Sequence, residues 1–379
     1  MYLSGLRAHS LFRKFLNSRL PKSALKASNL HSSSHSLAGT PGMDLISHDC
    51  DIDEEPIHRY RVGGTQEYVA LKVSVANKNE KSREFQVLRT LAELNSEEIG
   101  SRHVMKMLDH FHIVGPNGKH ECLVLEFLGP NVVDVREMYF DDKRLPAPLA
   151  KNVAQQALAG LAYLHNHNIG HGELLEELGS PITEPVKRED GKPLDPCVPA
   201  YIVQPASYPV DLSLSQQHIK IVDFGESFSH NDVPESLHTP LCVRAPEIIF
   251  GQKLDYRVDL WSVGCLMYEL IVSQPPFDSI MVTPVSLVNE MLETASDELP
   301  ELWHQKWRTM DSTWTGEKKK NTFQEWLEKM YFDGERKEEL TREEIVKVGA
   351  LVQKLLRFQP STRASAKEIL QDPWFRDNK

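Results

Sequence analysis

The chain has 379 residues, 40% hydrophobic and 26% charged, with a formal net charge of −11. That length supports a sizeable core and two lobes. The acidity argues against general nucleic-acid binding and allows a basic partner, and no apolar run approaches the ~20 residues of a membrane span.

Five scattered cysteines with no C-x-x-C pair point to reduced thiols in an intracellular compartment, not to a disulfide scaffold or a zinc site. Residues 1–43 stand apart: they hold six Lys or Arg, nine Ser and no acid. LFRKFLNSRL can place Leu11, Phe12, Phe15 and Leu16 on one helical face, with Arg13, Lys14 and Arg19 around the other. This pattern reads as a mitochondrial transit peptide; the alternatives are a basic tail without an address, or a leader ahead of a start at Met43.

After the acidic linker DCDIDEEP, YVALKVSV reads as a buried strand. Residues 80–94 follow as a helix, with Phe85, Leu88, Leu91 and Ala92 at helical spacing. CLVLEFLG (122–129) is a second apolar strand. From about residue 146 the pattern is mainly helical, over 148–166, 257–273, 284–294, 323–331, 342–357 and 365–371, interrupted by the strand IKIVDF at 219–224. Residues 179–218 read as an inserted loop, and 295–322 as another, anchored by Trp303 and Trp307. A strand-rich first half and a helical second half make an α+β, two-lobed plan.

Several motifs fall in order along this plan. Lys72 lies in VALK on the first strong strand, and Glu84 lies on the next helix. Asp223-Phe224-Gly225 ends an apolar strand, where a carboxylate can supply a hard oxygen ligand to a metal that bridges phosphates. RAPE (244–247), DLWSVG beginning at Asp259, and Arg363 near the end complete the series. This ordered set resembles the eukaryotic protein kinase family. IVDFGESF, YRVGG, YVALKVSVA, LGPNV, GLAYLH and DGKPLDPCVPAYIVQPASY are similar to fungal members of the SR-protein kinase group, from about residue 55 to the end.

The resemblance implies a two-lobed protein kinase fold: a lobe at 44–128 with a truncated sheet, and a mainly helical lobe at 129–379 carrying the insert 179–218. It implies ATP and Mg²⁺ as cofactors, with Lys72 and Glu84 serving the nucleotide phosphates and Asp223 holding Mg²⁺. Leu125, Glu126, Phe127 and Leu128 would be the hinge that contacts adenine. Glu247 would pair with Arg363, and Asp259 would brace the catalytic loop from below. The implied reaction moves the γ-phosphate of ATP to Ser in Arg/Ser-rich protein, and a monomer is expected.

Two pieces of the pattern are missing. A glycine-rich loop belongs roughly 17–22 residues before the strand lysine, but residues 50–55 contain no glycine. The join Gly64–Thr65 reads as a deletion of the first strand, the loop and most of the second strand. In the family pattern a catalytic Asp, a Lys and a metal-binding Asn follow His171 at two, four and seven residues. Glu173, Leu175 and Leu178 occupy those slots. Glu173 is a weak candidate for the base; the preferred reading is that ELLEELGSP resembles a helix beyond the catalytic loop and that the loop itself is absent. Two functional readings stay open: an enzyme whose complete form carries both segments, and a pseudokinase that works as a binding scaffold. The run His165, His167, His171 does not read as a metal site, because residues two apart do not share a helix face.

Overall fold

The computed structural model describes residues 57–61, 68–74, 82–94, 97–115, 118–172, 175–177, 182–185, 201–204, 218–278, 282–312 and 322–376. Residues 1–43, on which the transit-peptide reading falls, Glu173 and most of 179–218 lie outside these residues.

The chain opens with strands β1 (Ile57–Arg61) and β2 (Tyr68–Val73), then helix α1 (Arg83–Leu94). Strands β3 (Met107–Gly115) and β4 (Gly118–Glu126) follow. These four strands form one antiparallel sheet in the order β1-β2-β4-β3. Strand β4 is central, and Cys122, Leu123 and Val124 are buried whichever face they point to, as expected for a strand covered on both sides. Helix α1 covers one face with Phe85, Val87 and Leu88.

Loss of strands ahead of the VALK strand would leave it with an open edge. Strand β1 pairs with β2 from Ile57 opposite Lys72 to Arg61 opposite Tyr68. The hydrogen-bonding edge of β2 is thereby covered, and an uncovered edge would be open to pairing with other chains. The strand at 107–115 was not expected, because its polar residues mask the alternation of Phe111 with its neighbours.

The second half is built around α2 (Val132–Tyr139) and the long α3 (Ala147–Asn166). Along α3, Val153, Ala154, Ala157, Leu158, Leu161 and Leu164 are buried at three- and four-residue spacing. Strands β5 (Ile169–Gly170) and β6 (Leu175–Glu177) come next. Strands β7 (Ile182–Pro185) and β8 (Tyr201–Gln204) pair with each other, so the expected loop at 179–218 contains a strand pair. Strand β9 (Lys220–Val222) pairs with β6, and β10 (Phe228–Ser229) with β5.

Strand β6 is a correction. ELLEELGSP was expected to open a helix, yet Leu175 pairs with Val222 and Glu177 with Lys220. Helical propensity of Glu and Leu is a weak prior, and an apolar strand waiting for a partner overrides it.

Helices α4 (Pro246–Ile249), α5 (Arg257–Val272), α6 (Pro284–Thr294), α7 (Glu301–Met310), α8 (Phe323–Tyr331), α9 (Arg342–Leu355), α10 (Ala366–Leu370) and α11 (Pro373–Arg376) complete the chain. Helix α5 is buried nearly all round, which places it at the centre of this half. Helices α8, α9 and α10 each start with a reciprocal capping box, through Thr322 with Glu325, Thr341 with Glu344, and Ser365 with Glu368. Helix α7 corrects the loop expected at 295–322. Trp303 and Trp307, one turn apart, are its only buried side chains, and Trp303 stacks on Phe250 with ring centroids 4.7 Å apart. An apolar face of two residues was too narrow to read as a period. No helix among the described residues is long and apolar enough to cross a membrane.

Candidate active site

Lys72 sits on β2 between Leu71 and Val73, both buried. Strand alternation turns the lysine to the opposite face. Its Nζ lies 2.9 Å from Glu84 Oε2 and 3.1 Å from Oε1. Glu84 stands in the first turn of α1 and is itself buried. A buried carboxylate needs such a partner, and the favourable N-terminal end of the helix dipole adds to it.

Asp223 follows β9 and takes φ of 62°, a left-handed backbone for a non-glycine residue. Such strain persists only where surrounding structure enforces it. Here the Asp223 side chain accepts from Gly225 N at 3.3 Å and lies 3.3 Å from Lys72 Nζ. Its side chain is 45% exposed. One ammonium therefore stands between two carboxylates, one buried and one open to solvent. The group carries net negative charge, with hard oxygens available on its open side.

Beneath it, Phe224 is fully buried and meets the His171 ring edge-on, centroids 4.8 Å apart. His171 is held through its backbone. Asp259, near the start of α5, accepts from His171 N and Gly172 N at 2.8 Å each, and its Oδ2 lies 3.0 Å from His165 Nε2. Gly172 has φ of +83°, and a Cβ there would fall 2.4 Å from the Glu226 carbonyl oxygen. Only glycine meets both demands. His167 turns elsewhere, with Nδ1 2.9 Å from the Tyr163 carbonyl oxygen, so the three histidines of this run serve different contacts.

Glu247 and Arg363, 116 residues apart, make a two-pronged ion pair at 2.6 and 2.7 Å. Arg363 also donates to the Arg257 carbonyl at 2.8 Å. At the other end of the cleft, Glu126 closes β4. Its Oε1 lies 2.7 Å from Lys220 Nζ and accepts from Lys106 N at 2.7 Å. Leu125, Glu126, Phe127 and Leu128 thus form a strand exit tied by a side chain to β9. His103, on the short 3-10 helix Ile99–His103, donates Nδ1–H to the Ile219 carbonyl at 3.1 Å. Burial holds its imidazole below the usual histidine range, so the neutral ring completes this support.

The structure brings Lys72, Glu84 and Asp223 together at one cleft, and places Glu247, Asp259 and Arg363 in the helical half below it. Glu173 lies outside the described residues. His171 and Phe224 are functional positions that carry no charge signal in the sequence beyond their places beside Gly172 and in Asp223-Phe224-Gly225; both are fully buried.

Comparison with known proteins agrees with this geometry. The profile of the protein kinase domain matches residues 211–375. A serine/threonine protein kinase of Aspergillus fumigatus is 28% identical over 84% of this chain and 79% of its own length. The serine/threonine-protein kinase SRPK of Physarum polycephalum is 28% identical over 82% of this chain and 80% of its own. A serine/threonine-protein kinase of Arabidopsis thaliana is 29% identical over 62% of this chain and 55% of its own.

Proposed function

The chain belongs to the eukaryotic protein kinase family, and on that premise we propose that it is a serine/threonine kinase of the SR-protein type whose nucleotide-holding half is assembled and whose phosphoryl-transfer half is incomplete. The observation that carries this is the contrast across His171. On one side stand Lys72, paired to Glu84, and Asp223 within 3.3 Å of the same lysine. On the other, the chain enters strand β6 at Leu175, four residues past His171. The slot for the second lysine is then a strand residue, and the slot for the metal-binding asparagine falls one residue past the strand.

Protein kinases use ATP and a divalent metal on protein substrates. The residues present fit the nucleotide and one ion: Asp223 offers a hard carboxylate oxygen to Mg²⁺, and Lys72 an ammonium to the α- and β-phosphates. When bound, the ion neutralises charge on the phosphate oxygens. The backbone of residues 125–128 is the edge offered to adenine. Arg/Ser-rich protein is the proposed substrate class, matched by the acidic charge of −11.

The proposal divides the chain at 44–128 and 129–379, with an insert at 179–218. It predicts saturable binding of a fluorescent ATP analogue with Mg²⁺, abolished by Lys72→Met. It also predicts no phosphorylation of an Arg-Ser peptide above background, since loss of a positioned base alone costs about 10²–10⁴-fold. A rate within about tenfold of an intact relative would refute the incomplete half; a chain that binds no nucleotide would refute the assembled one.

The second reading, a scaffold that signals by binding, draws on the same contrast. A tryptic peptide spanning Gly172–Glu173, recovered from cells, would show this form is made and favour the scaffold. Transcripts that place an Asp and an Asn after Gly172 would favour the enzyme.

A further inference from the structure

We propose that His110, His112 and Glu121 form a binding site for a divalent transition ion of the Zn²⁺ class, on the four-stranded sheet beside the start of α1. His110 and His112 are two residues apart on β3, so both imidazoles leave the same face. Glu121 on β4 lies directly opposite His112, and diagonally from His110, which faces Leu123. One ligand atom from each residue lies within 4.8 Å of the other two. Ligands on a tetrahedral ion with bonds of about 2.0–2.1 Å stand about 3.4 Å apart. The three groups therefore need to close by up to about 1.4 Å, and the exposed His112 ring already meets the His110 ring edge-on, centroids 4.8 Å apart.

The carboxylate is already aimed. Glu121 is 9% exposed. Its Oε2 accepts hydrogen bonds from Ser82 Oγ and from Ser82 N, the latter at 3.3 Å. That leaves Oε1 facing His110 Nε2 at 3.3 Å. With its proton moved to Nδ1, His110 presents the Nε2 lone pair to the same point. Supporting hydrogen bonds of this kind orient ligands at metal sites. Two imidazoles and a carboxylate, with a further position open to solvent, suit Zn²⁺ and its neighbours, whereas Mg²⁺ prefers all-oxygen sets. This site is thus chemically distinct from the oxygen site at Asp223.

Its placement gives it a consequence. Ser82 Oγ accepts from Phe85 N at 3.1 Å, capping α1. The Phe85 ring stacks on His110, centroids 3.9 Å apart. An ion that fixes Glu121 and His110 therefore acts on two contacts at the start of α1, in the same turn as Glu84. Metal at this position tightens the helix that presents Glu84 to Lys72.

The test uses the full chain, stripped with chelator and titrated with Zn²⁺ against a chromophoric competitor in excess Mg²⁺. Wild type, His112→Ala and Glu121→Gln are compared, with folding checked by circular dichroism. Histidines elsewhere bind in all three proteins, so the difference between them is the readout. The wild type should take up one tight equivalent that both variants bind at least about tenfold more weakly. Zn²⁺ should also raise the unfolding midpoint of the wild type more than that of His112→Ala. Zn²⁺ affinities within about twofold across the three proteins would overturn the site, as would a wild type whose Mg²⁺ excess displaces the equivalent.

Discussion

Replacing Asp259 tests whether the floor of the site hangs from one buried carboxylate. Asp259 is 1% exposed and holds three donors: His171 N and Gly172 N at 2.8 Å, and His165 Nε2 at 3.0 Å. Asp259→Ala strands two backbone N–H groups where water does not reach. Each buried donor left unsatisfied costs about 1–3 kcal/mol, which gives about 2–6 kcal/mol in total. Asp259→Asn keeps one acceptor oxygen and turns an NH₂ toward the other donors, so about 1–3 kcal/mol is expected. The control is Asp232→Ala. Asp232 pairs with Arg83 at 3.5 Å, but its side chain is 66% exposed, and such pairs are worth about 0–1 kcal/mol. Urea unfolding followed by tryptophan fluorescence reads the three variants together, with constant slope required for the comparison. Because the same hydrogen bonds seat His171 under Phe224, nucleotide affinity should fall with stability in the Asp259 variants and not in the control. If Asp259→Ala loses no more stability than Asp232→Ala, the bracing argument is wrong.

Other perturbations test separate parts of the reasoning. Gly172→Ala forces a Cβ at φ of +83° to within 2.4 Å of the Glu226 carbonyl oxygen, so it should cost at least about 1–3 kcal/mol in the same assay; a neutral variant would mean the left-handed turn is not required. Arg363→Met leaves the buried Glu247 carboxylate without its two hydrogen bonds and should cost about 3–5 kcal/mol. The Arg363 guanidinium also lies over the Trp261 ring, 5.3 Å from its centroid; the double variant Glu247→Leu with Arg363→Met should recover part of the loss, and failure to recover any would assign the cost to that contact. Burial pushes the Cys122 and Cys242 thiols up to about 11. At pH 7.5 their thiolate fractions are then below about 0.1%. Peptide mapping after brief iodoacetamide treatment of the native chain should find both unmodified, and rapid labelling of either would contradict the burial.

Much of this protein was legible residue by residue. Local signals are strong where a helix has a wide apolar face and a cap. Helices 284–294 and 323–331 were read with their observed bounds, because Thr283 and Thr322 open them and buried residues recur at helical spacing. Lys72, Glu84, Asp223, Glu247, Asp259 and Arg363 were identifiable as a set because each sits in a short motif whose order along the chain is informative.

What the chain order could not decide was pairing. The strand at 57–61 has no period of its own; it is a strand because β2 offers a row of unpaired hydrogen-bonding groups. LEE at 175–177 carries helix-forming residues and becomes a strand because β9 needs a neighbour. The same holds for His110, His112 and Glu121, whose juxtaposition follows from the register between β3 and β4. Residue chemistry is local and was written in the sequence from the start: which side chains can carry charge, accept a proton or cap a helix. Which of them meet depends on long-range contacts, and tertiary structure alone decided those, because a hydrogen-bonding edge accepts whatever segment the rest of the fold delivers to it.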